Sequence, residues 1–243
     1  MAKYKSLKGQ PIQVLTADPP APVEGQVWVV ANPGTASVMK GYALGTGSWS
    51  SGGNLNTKRY GAGGAGVQTA GSLIAGDADG GSPRYGLHEQ YNGSSWTETV
   101  DVNTGGSYMG ATGTQTAAVK FGGYSPDRHD ETEIWNGSSW TEVGEMNTAR
   151  FGVASVGHTN TSAFAAGGSS GADATADVVE QWNGTSWAEV AEINTGRAYF
   201  GGSGLTTAGV VFGGGPDTGK TETWNGTSWA EVTDMNTDER YGL

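Results

Sequence analysis

The chain contains no cysteine, three histidines and only 13 lysines and arginines in 243 residues. The first absence excludes disulfides, thiol nucleophiles and cysteine-ligated zinc together, and leaves the redox compartment open. The shortage of cations against 24 aspartates and glutamates gives a net charge of −11. Such a chain cannot neutralise a polyphosphate, so neither nucleic acid nor anionic lipid is expected as a partner. The longest apolar runs, Val27-Trp28-Val29-Val30 and Leu73-Ile74-Ala75, fall far short of the ~20 residues of a membrane-spanning helix, and no membrane insertion is expected. Met1-Ala2-Lys3-Tyr4-Lys5 leads into no apolar stretch of the secretory type. What is abundant is glycine, at 43 residues, without the three-residue period of collagen. Nine Trp and nine Tyr supply apolar area for a core.

The glycines belong to a repeat. Tyr91-Asn92-Gly93-Ser94-Ser95-Trp96 recurs as Trp135-Asn136-Gly137-Ser138-Ser139-Trp140, Trp182-Asn183-Gly184-Thr185-Ser186-Trp187 and Trp224-Asn225-Gly226-Thr227-Ser228-Trp229. A glutamate stands two residues before each: Glu89, Glu133, Glu180 and Glu222. A degenerate copy runs from Tyr42 to Trp49, and successive final Trp are 47, 44, 47 and 42 residues apart. A period of ~40–50 residues indicates propeller blades. Asn-Gly between apolar positions indicates a tight hairpin with positive φ at both central residues, which also accounts for the four Asn-x-Ser/Thr sequons. A corner ending in Asn-Thr follows, then a Gly- and Ala-rich strand such as Phe151 to Val156. Next comes an apolar strand (Ser72 to Ala75, Val119 to Phe121, Ala163 to Ala166, Val210 to Phe212), and then a loop of variable length. Each unit therefore reads as four antiparallel strands. The small residues suit a crowded innermost strand, and the Trp suit the wedge between blades.

The expected fold is all-β: a five-bladed β-propeller over residues 24–243, with repeats at 56–102, 103–146, 147–193 and 194–235. The fifth blade is expected from residues 24–55 and 236–243, closing the ring by pairing N- and C-terminal strands and removing exposed sheet edges. Its strands are expected at Gln26 to Ala31, Ser37 to Tyr42 and Ser48 to Ser51. Residues 1–23 hold four of the eight prolines and Lys3, Lys5 and Lys8, and are expected as an extended docking arm. Loops 77–87, 124–130, 169–177 and 215–220 share one face with the Asn-Thr corners.

Arg59, Arg150, Arg197 and Arg240 follow those corners and are expected at the channel mouth. There they either pair with neighbouring carboxylates such as Asp234 or Glu239, or form a site for an anionic ligand; the second repeat breaks the set with Gly105-Gly106-Ser107. Gly214 to Thr221 matches a phosphate-loop pattern, but Glu222-Thr223-Trp224 after it reads as strand rather than helix. Gly61 to Gly66 matches a dinucleotide pattern, yet opens no helix. His88, His129 and His158 share no repeat position, so no metal site is expected. No nucleophile triad is marked. Paired carboxylates for glycoside cleavage would have to come from Asp77, Asp79, Asp127, Asp130, Asp173 and Asp217, which read as solvated loop residues. No catalytic residues and no cofactor are expected.

The unit Asn-Thr-x-Arg, small-residue strand, Gly-Gly, Glu-x-aromatic-Asn-Gly-Ser-Ser-Trp resembles the kelch and galactose-oxidase-type propeller repeat over residues 24–243. Oxidase chemistry of that type requires a Cys cross-linked to Tyr, and there is no Cys. Asn-Gly-Ser-Ser-Trp-Thr-Glu, with Lys8-Gly9-Gln10-Pro11-Ile12-Gln13-Val14-Leu15-Thr16 and Gly25-Gln26-Val27-Trp28, resembles kelch-like virion proteins of aquatic tailed bacteriophages. The resemblance implies a non-enzymatic structural protein located in the virion, on a fibre, tail or capsid surface. It would contact other virion proteins through residues 1–23 and form a homo-oligomer within the particle. Two alternatives remain: a host-surface glycan-binding adhesin acting through the variable loops, and a polysaccharide-degrading enzyme.

Overall fold

The computed structural model describes residues 51–78, 83–171, 174–216 and 219–236, together with three short strands that precede them. By compactness the chain divides into Met1–Ser51 and Gly52–Leu243. In the first unit, β1 (Gln13–Leu15) pairs in parallel with β2 (Val27–Val30), with Val14 opposite Val29, and β2 pairs antiparallel with β3 (Val38–Gly41). β2 and β3 fall inside the strands expected from Gln26 and Ser37. Residues 13–15, within the segment expected as an extended arm, form a sheet strand. β1 thus lies on the edge of β2 opposite β3. Residues 237–243, and with them the closing strand itself, lie outside the described residues.

In the second unit each repeat becomes one four-stranded antiparallel sheet, and no helix occurs among the described residues. The first sheet is β4 (Gly63–Val67), β5 (Ala70–Asp77), β6 (Arg84–Tyr91) and β7 (Trp96–Glu98). The second is β8 (Gly110–Thr114), β9 (Ala117–Phe121), β10 (Thr132–Trp135) and β11 (Trp140–Glu142). In the third, β12 (Ala154–Thr159) and β13 (Ser162–Ala166) are followed by a two-stranded ribbon, β14 (Ser169–Gly171) with β15 (Ala174–Thr175), before β16 (Val179–Trp182) and β17 (Trp187–Val190) complete it. The fourth is β18 (Gly201–Leu205), β19 (Ala208–Phe212), β20 (Thr221–Trp224) and β21 (Trp229–Glu231).

The first strands β4, β8, β12 and β18 are successive neighbours and together line a channel cavity of about 410 Å³. Small residues there have a steric cause. Gly110 and Gly201 lie opposite Phe121 and Phe212 in register, and a Cβ on either glycine would run into the phenylalanine ring. Three buried clusters fill the wedges between sheets. Ile74 and Met109 pack with Trp135 and Trp140, Phe121 and Val153 with Trp182 and Trp187, and Phe164 and Phe200 with Trp224 and Trp229. The two aromatics of each repeat face each other across the third and fourth strands, as in Trp182 opposite Trp187 with ring centroids 5.5 Å apart, a pairing that stabilises antiparallel sheets.

The Asn-Gly hairpins differ from expectation. They are four-residue loops, and only their glycines have positive φ (Gly93 93°, Gly137 96°, Gly184 94°, Gly226 97°). Each asparagine instead caps its own loop: Asn183 Oδ1 accepts from the Thr185 and Ser186 amides at 2.9 and 3.0 Å, and the other three repeats do the same. An acceptor two residues back thus satisfies amides that a two-residue turn would not leave open.

Candidate functional site

The corners that lead into the inner strands sit at one end of the channel, and each is built around the repeat glutamate. The Asn56 backbone amide and Nδ2 both donate to Glu89 Oε2 at 2.8 Å, while Arg59 donates to Oε1 at 2.6 Å. Asn147 and Arg150 hold Glu180 in the same way, and Asn194 and Arg197 hold Glu222. All four glutamates are 0% exposed. Burial alone would raise the Glu89 carboxyl; the Asn56 amide, Arg59, the Asn56 side chain and the Thr57 amide together hold it below its ordinary value. For Arg150 burial dominates and lowers the guanidinium, with Glu180 opposing.

Arg59, Arg150 and Arg197 are therefore internal. Their side chains are 0% exposed in ion pairs of 2.6, 2.7 and 2.8 Å, and none of them lines the channel cavities. The structure places them inside the corners rather than open to an anionic ligand, each in an ion pair with its repeat glutamate; Glu239 lies outside the described residues. Arg240 lies outside the described residues. The second repeat, which lacks the arginine, supplies its cation from the adjacent strand: Lys120 Nζ lies 2.8 Å from Glu133 Oε1, both essentially unexposed.

Above the corners lies a set of aromatic side chains that sequence reasoning missed. Backbone bonds step from sheet to sheet around this end: Tyr108 N donates to Gly61 O, Gly152 N to Tyr108 O, and Tyr199 N to Gly152 O, at 2.6–2.8 Å. These four residues occupy one repeat position, and all have a left-handed backbone (φ 62°, 56°, 65° and 57°). Where that position is glycine, the preceding residue is aromatic, Tyr60 or Phe151. Where it is tyrosine, the preceding residue is small, Ser107 or Ala198. Each of the four-stranded sheets thus contributes one aromatic at this position by one of two local routes. A bulky residue at such φ costs about 1 kcal/mol or more relative to glycine. The rings form a chain, with Tyr60 to Tyr108 at 6.2 Å, Tyr108 to Tyr199 at 5.2 Å, Tyr199 to Phe151 at 5.9 Å and Phe151 to Tyr124 at 5.2 Å. Tyr60 is 43% exposed and the other four are half-buried. Beneath them a second cavity of about 230 Å³ opens among the first residues of the inner strands.

The remaining motifs fall elsewhere. The phosphate-loop pattern leads into strand β20, and Lys220 Nζ donates to Thr195 Oγ1 and Glu231 Oε2. Gly61 to Gly66 runs into β4. His88 is buried between the first two sheets against Trp135 and Trp140. His129 bonds to the Ser125 carbonyl in a loop of the second sheet, and His158 lines the other end of the channel. Asp77 is buried 3.3 Å from Arg84, while Asp79, Asp173 and Asp217 lie outside the described residues. No protein-family model matches the chain, and no curated protein matches it either.

Proposed function

We propose that this chain is a non-enzymatic structural protein of a bacteriophage virion, a rigid kelch-like five-bladed propeller displayed on a fibre, tail or capsid surface. The observation that carries the reading is the repeated corner: four buried glutamates, each holding a corner asparagine and a cation, serve to brace their own sheets. Variation is left to the loops and aromatics at one end. Such a body presents a surface and holds its shape. A fifth blade is supported by Arg240-Tyr241-Gly242, which repeats the sequence Arg59-Tyr60-Gly61, and by Tyr91 and Trp96, half-buried where later pairs are buried. Residues 24–55 and 236–243 build that blade.

Attachment is through the N-terminal segment to other virion proteins, with copies of the chain assembled in the particle. Deleting residues 1–12 leaves β1 in place. Particles assembled with the shortened chain should lack it, while the purified protein melts as before; normal incorporation would refute the attachment. Electron-microscopy averages viewed along the channel should show five lobes, and any other count would refute the architecture.

A further inference from the structure

We propose that the aromatic rim formed by Tyr60, Tyr108, Phe151, Tyr199 and Tyr124 is a stacking platform for a neutral oligosaccharide. The inference rests on the reading of the chain as a displayed module, because that reading turns the variable-loop end outward.

Three observations converge on this end. Four of the five aromatics recur once per four-stranded sheet although the local sequence does not, with aromatic-Gly in the first and third repeats and small-aromatic in the second and fourth; Tyr124 is added from the second repeat. Glycine at positions 108 and 199 would relieve the left-handed strain, as Gly61 and Gly152 do, yet tyrosine stands at both. The rings touch in sequence across four sheets and stay partly in solvent, whereas Trp135, Trp140, Trp182, Trp187, Trp224 and Trp229 are at most 6% exposed. Strain retained at a half-exposed aromatic marks a surface that is used.

The chemistry selects the occupant. Aromatic ring faces match the C–H faces of a sugar. The guanidinium groups below are enclosed on Glu89, Glu180 and Glu222 and offer an anion nothing. The chain's net charge of −11 further disfavours acidic glycans. A neutral saccharide lying across several rings is what remains.

The test is calorimetric titration of the full chain with maltohexaose, cellohexaose and chitohexaose, alongside the variants Tyr60→Ser and Tyr108→Gly/Tyr199→Gly. At least one hexasaccharide should bind saturably. The double variant should weaken that binding tenfold or more with its melting temperature unchanged or raised, and Tyr60→Ser, at the most exposed ring, should weaken it severalfold without touching the core. Absence of saturable binding to all three sugars overturns the proposal, as does binding that stays within twofold in both variants. Loss of host-cell adsorption in variants of a protein that binds none of the sugars would point to a protein receptor and also overturn it. Incorporation of the variant chains into particles is measured separately, so the display reading stands or falls on its own result.

Discussion

Lys120 lies 2.8 Å from Glu133 and does from β9 what Arg59, Arg150 and Arg197 do from the corners of the other three sheets. Gly106 holds the arginine's place in the second repeat: its carbonyl accepts from Gly76 N as the Arg150 and Arg197 carbonyls accept from Gly123 and Gly168. The cation has moved, and the buried carboxylate has kept its partner.

Replacing Lys120 with Leu, the residue opposite Glu89 in the first sheet, should therefore cost about 3–5 kcal/mol, because Glu133 is left buried and uncompensated. Adding Gly106→Arg should recover most of the loss. Urea unfolding of the single and double variants measures both; a double variant no more stable than Lys120→Leu would show that the two cations are not equivalent.

A second prediction concerns a missing acceptor. Trp140 Nε1 donates to His88 Nδ1 at 3.3 Å and Trp187 Nε1 to Thr132 Oγ1 at 2.8 Å, each reaching the residue before the preceding sheet's glutamate. In the third sheet that residue is Val179, and Trp229 Nε1 is buried with no partner. Val179→Thr preserves shape and supplies an oxygen, so it should raise stability by about 1 kcal/mol. A fall in denaturation midpoint would mean that the hydroxyl cannot reach the indole.

The first sheet should be the acid-sensitive one. Burial lowers His88 from 6.5 to about 4, against an opposing contact with the Val100 backbone. The unfolded chain then binds more protons than the folded one between those values, so stability is full above pH 6.5 and falls by about 3 kcal/mol as pH drops to 4. Glu89, held below its ordinary value, adds to the loss in the same direction below about pH 4.5. In His88→Thr, which copies the second sheet, the decline between pH 6.5 and 4 should shrink while the Glu89 component persists. Denaturation midpoints across pH 4–7 provide the check; an equal slope in the variant would move the effect to another group.

The contrast between what was and was not legible follows from range. The second strands, the Trp-filled wedges and the small residues of the inner strands rest on patterns within a few residues, and the sheets reproduce them, although the inner strands begin two or three residues later than expected, at Gly63 and Ala154. The arginine partners do not: Arg59 meets Glu89 thirty residues away, and only the folded sheet joins two motifs that read as separate. A signal did exist at Lys120, a single charge inside the apolar run Val119-Lys120-Phe121 in the one repeat lacking its arginine. The rim was hidden because its aromatics shift by one residue between repeats, a slip that only a left-handed backbone at Tyr108 and Tyr199 reconciles.

The hairpin asparagines offer a last test, because two mechanisms give opposite expectations for aspartate and alanine. If Asn183 served a two-residue turn, it would be chosen for left-handed backbone; the structure gives it ordinary φ and uses its Oδ1 to accept two amides. Asn183→Asp keeps the oxygen that accepts both amides and gives up only the 3.3 Å donation to Ser186 Oγ, so it should cost less than about 0.5 kcal/mol. Asn183→Ala removes the acceptor and should cost about 1 kcal/mol. Gly184→Ala should cost more than the aspartate change as well, since φ is 94° there and the new Cβ would press to 3.2 Å from Thr161. Equilibrium unfolding of the three variants ranks them, and an aspartate variant as unstable as the alanine one would return the loop to backbone preference.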